Sequence, residues 1–295
     1  MGEITIRKAL DDYKSVYMPY RNFADRTREE YQNDIEDFVR FLEQKRITRV
    51  GELGLPIIER CVAHLEGKGI ASLTRKRKVV AIRSFSFYLY QDGYIDINLA
   101  KKVVLPFAEY PSPDFLTQNE CNKLRSACAD NQRDTAIIEL ILQTGIKLSE
   151  LVHLMVDDIE LEESARLQGF MQVRGNAGKR DRIIPLNTKA SEAIKNYLKV
   201  RRDAENSFLF LNRLDEPLGE SGIQKMLTKR IKRAGIGRAS AHTLRHTFGT
   251  YHIARGTEAK TIQDVMGLKD ERSTAIYHAL AREVVSREDS ARVFL

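Results

Sequence analysis

Pro106, Pro111 and Pro113 fall within eight residues, in the run Leu105-Pro106-Phe107-Ala108-Glu109-Tyr110-Pro111-Ser112-Pro113. Each proline fixes φ and removes a backbone donor, so no helix can be drawn through this stretch. What remains is an extended tether. The chain must therefore fold in two parts: a first domain over residues 1–104, a linker over 105–115 and a second domain over 116–295. At 295 residues there is enough chain for two separate cores.

The first part reads as all helix. Ile6 to Tyr20 is one candidate. Thr27-x-x-Glu30 has the form of a capping box, and Tyr31, Ile35, Phe38 and Leu42 then follow at helical spacing to about Gln44. Pro56 to Leu65 predicts a third helix, stopped by Gly67 and Gly69. Ser72 or Thr74 opens a fourth that runs to about Gln91, with Val79, Ile82, Phe85 and Leu89 on its apolar side. Its start carries Arg75, Lys76, Arg77 and Lys78, with Arg83 further on. Cations at a helix N-terminus oppose the macrodipole. The expectation is that this cluster serves phosphate contact rather than the helix itself.

The second part mixes periods. Thr117-x-x-Glu120 is another capping box, and a helix through Ala136, Ile137, Leu140 and Ile141 stops at Gly145. Between Asp158 and Leu186 the pattern becomes strand-like, in DIELE, GFMQV and RIIPL, the last two flanking the basic turn Gly175 to Asp181. Helices follow from about Thr188 to Arg202 and from Ser221 to Ala234, the latter bearing Lys225, Lys229, Arg230, Lys232 and Arg233. The fold class is mainly α in two domains: an N-terminal helical bundle and an α+β domain with a small antiparallel sheet.

Charge sets the kind of partner. Lys and Arg number 48 against 41 acidic residues, a net charge of +7, which suits a polyanion without establishing one. No apolar run of membrane length and no leader are evident, so a soluble cytoplasmic protein with no membrane partner is expected. The three cysteines, Cys61, Cys121 and Cys128, show no metal spacing and read as core residues of a reduced protein.

The chemistry concentrates between Ala241 and Tyr277, in AHTLRHTFGTYHIARGTEAKTIQDVMGLKDERSTAIY. A helix opens near His242 and ends at Gly256. A shorter amphipathic segment carries Ile262, Val265 and Met266 to Gly267, and a third bears Tyr277. His242 and Arg245 at i, i+3 share a helix face. An Arg offers two oxygens a bidentate fork, a His donates or moves a proton, and a Tyr hydroxyl can attack phosphorus. His242 and His246 at i, i+4 lack the Glu of H-E-x-x-H and a third ligand, so no metal is expected.

HTLRHTFGTYHIARG, the Gly-containing break and STAIY together resemble the C-terminal signature of the tyrosine recombinases, the integrase and Xer-type family. The likeness extends over nearly the whole chain. It implies that the N-terminal bundle is a SAM-like core-binding domain, and that Arg75, Lys76, Arg77, Lys78, Arg83, Arg180, Lys229 and Arg230 touch DNA. It also implies Tyr277 as the nucleophile, with Arg245 and His242 beside the phosphate. Three positions depart from the pattern. Lys147, in Thr144-Gly145-Ile146-Lys147-Leu148-Ser149-Glu150-Leu151, stands where the family has its first clamp Arg, keeping the charge but losing the fork. Ala177 stands at the family's general-acid Lys, with Lys179 two residues away as the substitute. Leu268, nine residues before Tyr277, stands where the family has a His or Trp donor.

The chemistry implied is attack by Tyr277 to form a 3′-phosphotyrosyl bond with release of a 5′-hydroxyl, without ATP, metal or other cofactor. The partners implied are double-stranded DNA with paired inverted sites and a homotetramer assembled on it through a Holliday junction, the free protein being a monomer. The C-terminal segment from Glu283 to Leu295 resembles the tail that docks on a neighbouring protomer. Two other classes remain: a DNA-binding protein of this fold without full catalysis, and a type IB topoisomerase.

Overall fold

The computed structural model describes residues 4–21, 23, 25–108, 112–161, 169–175, 181–202, 206–270 and 272–293, with residues 25, 26, 272 and 285–293 described in backbone only. The chain divides into two compact units, Met1–Pro111 and Ser112–Leu295. Residues 103–108 and 112–117 carry neither helix nor strand.

The first unit is helical throughout. Helix α1 (Ile6–Asp12), capped by Thr5, continues through one π-helical turn at Tyr13–Tyr17 into α2 (Met18–Tyr20). Then come α3 (Asp25–Gln44), α4 (Leu55–Gly67), α5 (Ser72–Gln91) and the short α6 (Leu99–Lys102). The apolar stripes of α3 and α5 meet, burying Ile35, Phe38 and Leu42 with Ile82, Phe85 and Leu89. Thr27 does not cap α3. The helix already runs from Asp25, so Thr27 and Glu30 lie inside its opening turns.

Charge pairing revises the role of the basic cluster. Lys78 is buried, with Nζ 2.9 Å from Asp34 Oδ1 and 2.7 Å from Asp37 Oδ2. Arg77 donates to the other oxygen of Asp34 at 2.6 Å, and Arg83 Nε donates to the Ala100 carbonyl at 2.8 Å. Arg75 lies 3.2 Å from Glu66, whose side chain is 67% exposed. Arg77 and Lys78 are therefore answered by acids one turn apart on α3, and Arg75 by Glu66 of α4. Lys78 holds the bundle together and is not available to a phosphate, contrary to the sequence expectation; Arg77 is shared with Asp34. The stripe of α3 reveals its apolar face, but which helix its acids face is a tertiary fact.

In the second unit α7 (Gln118–Cys128) opens on the expected box, Thr117 N donating to Glu120 Oε2 at 2.8 Å and Glu120 N to Thr117 Oγ1 at 3.3 Å. Helix α8 (Gln132–Thr144) is the buried axis, packed by α10 (Thr188–Leu198) and α12 (Ala241–Ala254). A single turn, α9 (Leu148–Leu151), leads into the antiparallel sheet β1 (Ile159–Glu160), β2 (Phe170–Val173) and β3 (Arg182–Pro185), in that order, with Gln172 opposite Ile183. Helices α11 (Glu220–Arg233), α13 (Ala259–Met266) and α14 (Arg272–Val293) complete it, α14 lying along α12.

Arg230 also departs from its expected role. It is buried, forking onto Asp134 at 2.8 Å and Asp130 at 2.6 Å and donating to the Ala127 carbonyl at 2.9 Å, so it ties α11 to α7 and α8. Its neighbour Lys229 is exposed. All three cysteines are free and buried, and burial pushes the Cys121 thiol up to about 11. Among the described residues no helix is long and apolar enough to cross a membrane.

Removing Asp34 strips a counter-ion from both Lys78 and Arg77. Asp34→Ala should cost about 3 kcal/mol, the low end for a broken buried pair because Asp37 remains. Urea denaturation followed by circular dichroism checks this; a loss within the roughly 1 kcal/mol of a surface pair would return the cluster to solvent.

Candidate active site

The site forms where α8, α12 and α13 end or begin near one another. Helix α8 stops at Gly145, which has φ of +60° and so occupies the left-handed region. A Cβ there would lie 2.6 Å from Phe248 Cδ1, so two separate constraints demand glycine. Lys147 follows as the N-cap of α9, its backbone N–H donating to Glu150 Oε2 at 3.0 Å. Helix α13 also ends on a left-handed glycine, Gly267.

A helix C-terminus exposes carbonyls that lack partners and carries partial negative charge. At the end of α13 three cations meet three successive carbonyls. Arg182 Nε donates to Val265 O at 2.8 Å, Arg245 Nη2 to Met266 O at 2.7 Å and Lys147 Nζ to Gly267 O at 3.1 Å. Arg245 Nη1 donates to Gly145 O, joining α8 to the same point. Behind them Arg182 forks onto Glu150 at 3.0 and 2.7 Å. Burial alone would raise the Glu150 carboxyl, but the hydrogen bonds and charge of Arg182 outweigh it and hold the group below the usual carboxylate range. Burial pushes the Arg245 guanidinium down, opposed by Tyr277 and Glu150; it remains charged.

Tyr277 is 2% exposed on α14, with the Arg245 guanidinium near enough to act on its phenol. Burial raises its phenol above the ordinary value, while the charge and hydrogen bond of Arg245 pull it back. Its ring crosses α12 at Gly249, where a Cβ would sit 2.7 Å from Tyr277 Cε1. The His246 ring is 5.7 Å away, tilted by 45°. His246 Nδ1 is buried without a hydrogen-bond partner, and desolvation, helped by His242 and Arg245, pushes the ring down to about 4.

The helical spacing that set His242 beside Arg245 is only half realised. Arg245 turns inward and is buried, whereas His242 stays exposed in the first turn of α12. Leu268 packs on the apolar cluster of Phe248, Ile262, Met266, Tyr277 and Leu280. Lys147 and Leu268 border a cavity of about 530 Å³ together with Arg174, Arg182, Gly267 and Lys269. Ala177, Lys179 and Arg180 lie outside the described residues, as do the side chains of the tail from 285 onward. No group of His, Cys, Asp and Glu able to hold a metal is found among the described residues.

Sequence reasoning missed Arg182, Glu150, His246 and Gly249. Arg182 had a faint signal, a cation opening an otherwise apolar strand. Glu150 had another, an acid at the third position of the turn that Lys147 caps. For Gly249 and His246 there was none, since both are defined by a helix distant in sequence.

A helix-borne tyrosine sunk against a buried arginine, on an α+β unit with a three-stranded sheet, defines the class of the tyrosine recombinases. The description "Phage integrase family" matches residues 114–283, and "Phage integrase, N-terminal SAM-like domain" matches residues 10–93. Tyrosine recombinase XerC of Thermodesulfovibrio yellowstonii is 32% identical over 262 residues, covering 84% of this chain and 83% of the relative. The crystal structure of XerA recombinase matches at 26% identity with a TM-score of 0.54, over 96% of this chain and 98% of that one. A lambda integrase dimer bound to a COC′ core site shares the fold at 17% identity and a TM-score of 0.76, over 93% and 77% of the respective chains. The chain belongs to the phage integrase family, and its relatives there are the Xer tyrosine recombinases.

Two outcomes test this packing. Gly249→Ala should lower stability by roughly 1–2 kcal/mol, overpacking against Tyr277 exceeding the helix-propensity gain; an unchanged or higher melting temperature would contradict the close approach. The second concerns His246, whose folded value of about 4 lies below the ordinary 6.5. The unfolded chain then binds more protons between those values, so stability is full above about 6.5 and falls as pH drops toward 4. His252, also lowered by burial, acts in the same sense. His246→Leu should therefore lose less stability than the parent between pH 7 and pH 5, by denaturant titration at each pH.

Proposed function

We propose that this chain is a site-specific DNA recombinase in which Tyr277 attacks the scissile phosphate, leaving a 3′-phosphotyrosyl bond and a free 5′-hydroxyl. The observation that supports the assignment is Tyr277 buried on α14 next to Arg245, which with Lys147 donates to the successive carbonyls of Met266 and Gly267. The phenolic oxygen forms the new P–O bond as the 5′-oxygen leaves and takes up a proton. Attack by that hydroxyl, or by one from a second duplex, reverses the exchange, so no bond energy is lost. Arg245 and Lys147 stabilise charge on the non-bridging oxygens, the kind of preorganised electrostatics that usually dominates such catalysis.

A phenol of pKa about 10 needs that cationic setting to react near neutrality. His242, at the exposed rim, is placed to exchange a proton with DNA entering from solvent. Lys179 is the proposed acid for the leaving oxygen. Arg180, Lys229, Arg75, Lys76, Arg77 and Arg83 remain as phosphate contacts, while Lys78 and Arg230 are withdrawn as buried structural cations. A lambda integrase tetramer has been solved on a Holliday junction and XerH on its difH substrate. The same arrangement is proposed here: a tetramer on paired inverted sites, assembled from monomers of a cytoplasmic protein, the N-terminal unit serving as the core-binding half.

Two observations favour a slowed enzyme as the second reading. Lys147 grips Gly267 O with a single point donor, and Leu268 is packed into the apolar cluster. Tyr277→Phe should abolish any covalent adduct on nicked DNA at nearly unchanged affinity, since only the nucleophilic oxygen is lost. An adduct surviving in that variant, on a denaturing gel, would move the nucleophile elsewhere. Lys147→Arg should raise single-turnover cleavage roughly ten- to a hundred-fold, scaled down from the loss of one transition-state donor. Equal or slower cleavage would mean that the pocket is built around lysine and would end the slowed-enzyme reading.

A further inference from the structure

Among the described residues that line the cavity beside Lys147, one cation has no hydrogen bond or ion pair to another described residue. Lys147 is engaged by Gly267 O and lies 4.0 Å from Glu150. Arg174 is paired to Asp158 at 3.0 and 2.9 Å, and Arg182 is locked between Glu150 and Val265 O. Lys269 also lines the cavity, is exposed, and makes no hydrogen bond or ion pair with any described residue. Of the three acids on the same wall, two have cation partners and the third accepts a backbone N–H. Glu150 holds Arg182, Asp264 pairs with Lys260 at 2.9 Å, and Asp181 accepts the Gly175 N–H at 2.8 Å. Lys269 thus faces the cavity with no ion pair to any described residue.

Its position follows from the turn. Gly267 takes a left-handed conformation at the end of α13, and Leu268 N donates to Gln263 O at 3.0 Å. That closure sets the Leu268 side chain on the apolar cluster and leaves Lys269 as the next side chain on the cavity. Leucine has no donor to offer a phosphate oxygen. A lysine has three, on a four-carbon stem long enough to reach past a neighbouring residue.

Resting on the assignment of Tyr277 and Arg245 to the scissile phosphate, we propose that Lys269 is a further catalytic residue. Its ammonium binds a non-bridging oxygen of that phosphate and supplies the donor that Leu268 cannot. Because it is a mobile point charge rather than a fixed donor, it acts as charge builds during transfer more than in ground-state binding, where it is one of many cations on the duplex.

The test is single-turnover cleavage of a nicked duplex whose site has been selected from a random pool by affinity for the wild-type protein. Lys269→Met keeps the stem and removes the charge at an exposed position, so the fold is not at risk. The expected result is cleavage slowed ten- to a hundred-fold with the DNA dissociation constant changed less than about threefold, and Lys269→Arg close to wild type. Adding Leu268→His to Lys269→Met should recover most of the lost rate. Wild-type cleavage by Lys269→Met, or a loss confined to DNA affinity, overturns the proposal. So does an absence of rescue in a double variant of unchanged melting temperature. A wild-type protein that forms no Tyr277 adduct takes down the underlying assignment as well, whereas an adduct formed equally fast without Lys269 sinks this inference alone.

Discussion

The second unit depends on how the C-terminal end of α13 is satisfied. Three carbonyls in a row, Val265, Met266 and Gly267, are each met by a cation from a different part of the chain: β3, α12 and the turn before α9. Left bare in a partly buried setting, such carbonyls would each cost of order 1–3 kcal/mol. With cations they become the point at which four elements are held in register. The arrangement also concentrates positive charge at the place proposed to receive the phosphate. Glu150 keeps the cluster from repelling itself, taking Arg182 with both oxygens while its charge also faces Lys147.

Tyr277 shares this cluster but is held by shape as much as by charge. Gly249 lets α14 approach α12 so closely that the phenol ring lies where any Cβ would be, and the His246 ring, one turn earlier on α12, lies 5.7 Å from it. An uncharged, desolvated His246 adds no competing cation next to Arg245. The phenol therefore meets one strong positive partner in a dry setting, where electrostatic effects are larger than in water. The same burial that raises its pKa also prevents solvent from reaching it.

The first unit shows the opposite use of similar residues. Lys78 and Arg77 form a network with Asp34 and Asp37, buried at Lys78 and Asp34, that joins α3 to α5, and Arg230 plays the same part for α11 in the second unit. Such pairs fix which faces meet more than they add net stability, since desolvation offsets much of their attraction. A basic chain thus spends some of its cations internally, and a count of Lys and Arg overstates how many are offered to a polyanion.

Local chemistry in the sequence determined the elements and the class. Apolar spacing in Tyr31–Leu42 and Val79–Leu89, the Thr117 box, the stops at Gly145 and Gly267, and the proline tether each act through neighbours a few residues apart, which a sequence displays directly. His242-x-x-Arg245 and Tyr277 were legible as chemistry for the same reason. Tertiary structure alone decided which cations are free. Arg75, Lys78 and Lys229 look alike in a sequence, yet one lies against an exposed Glu66, one is buried on two aspartates and one faces solvent. It likewise decided that Arg245 turns inward while His242 does not, and that Arg182, Glu150, Gly249 and His246 belong to the site. The physical reason is range. Helix periodicity and capping operate within one or two turns, whereas desolvation and ion pairing depend on groups 32 residues apart, as in Arg182 with Glu150, or 100 apart, as in Arg245 with Gly145.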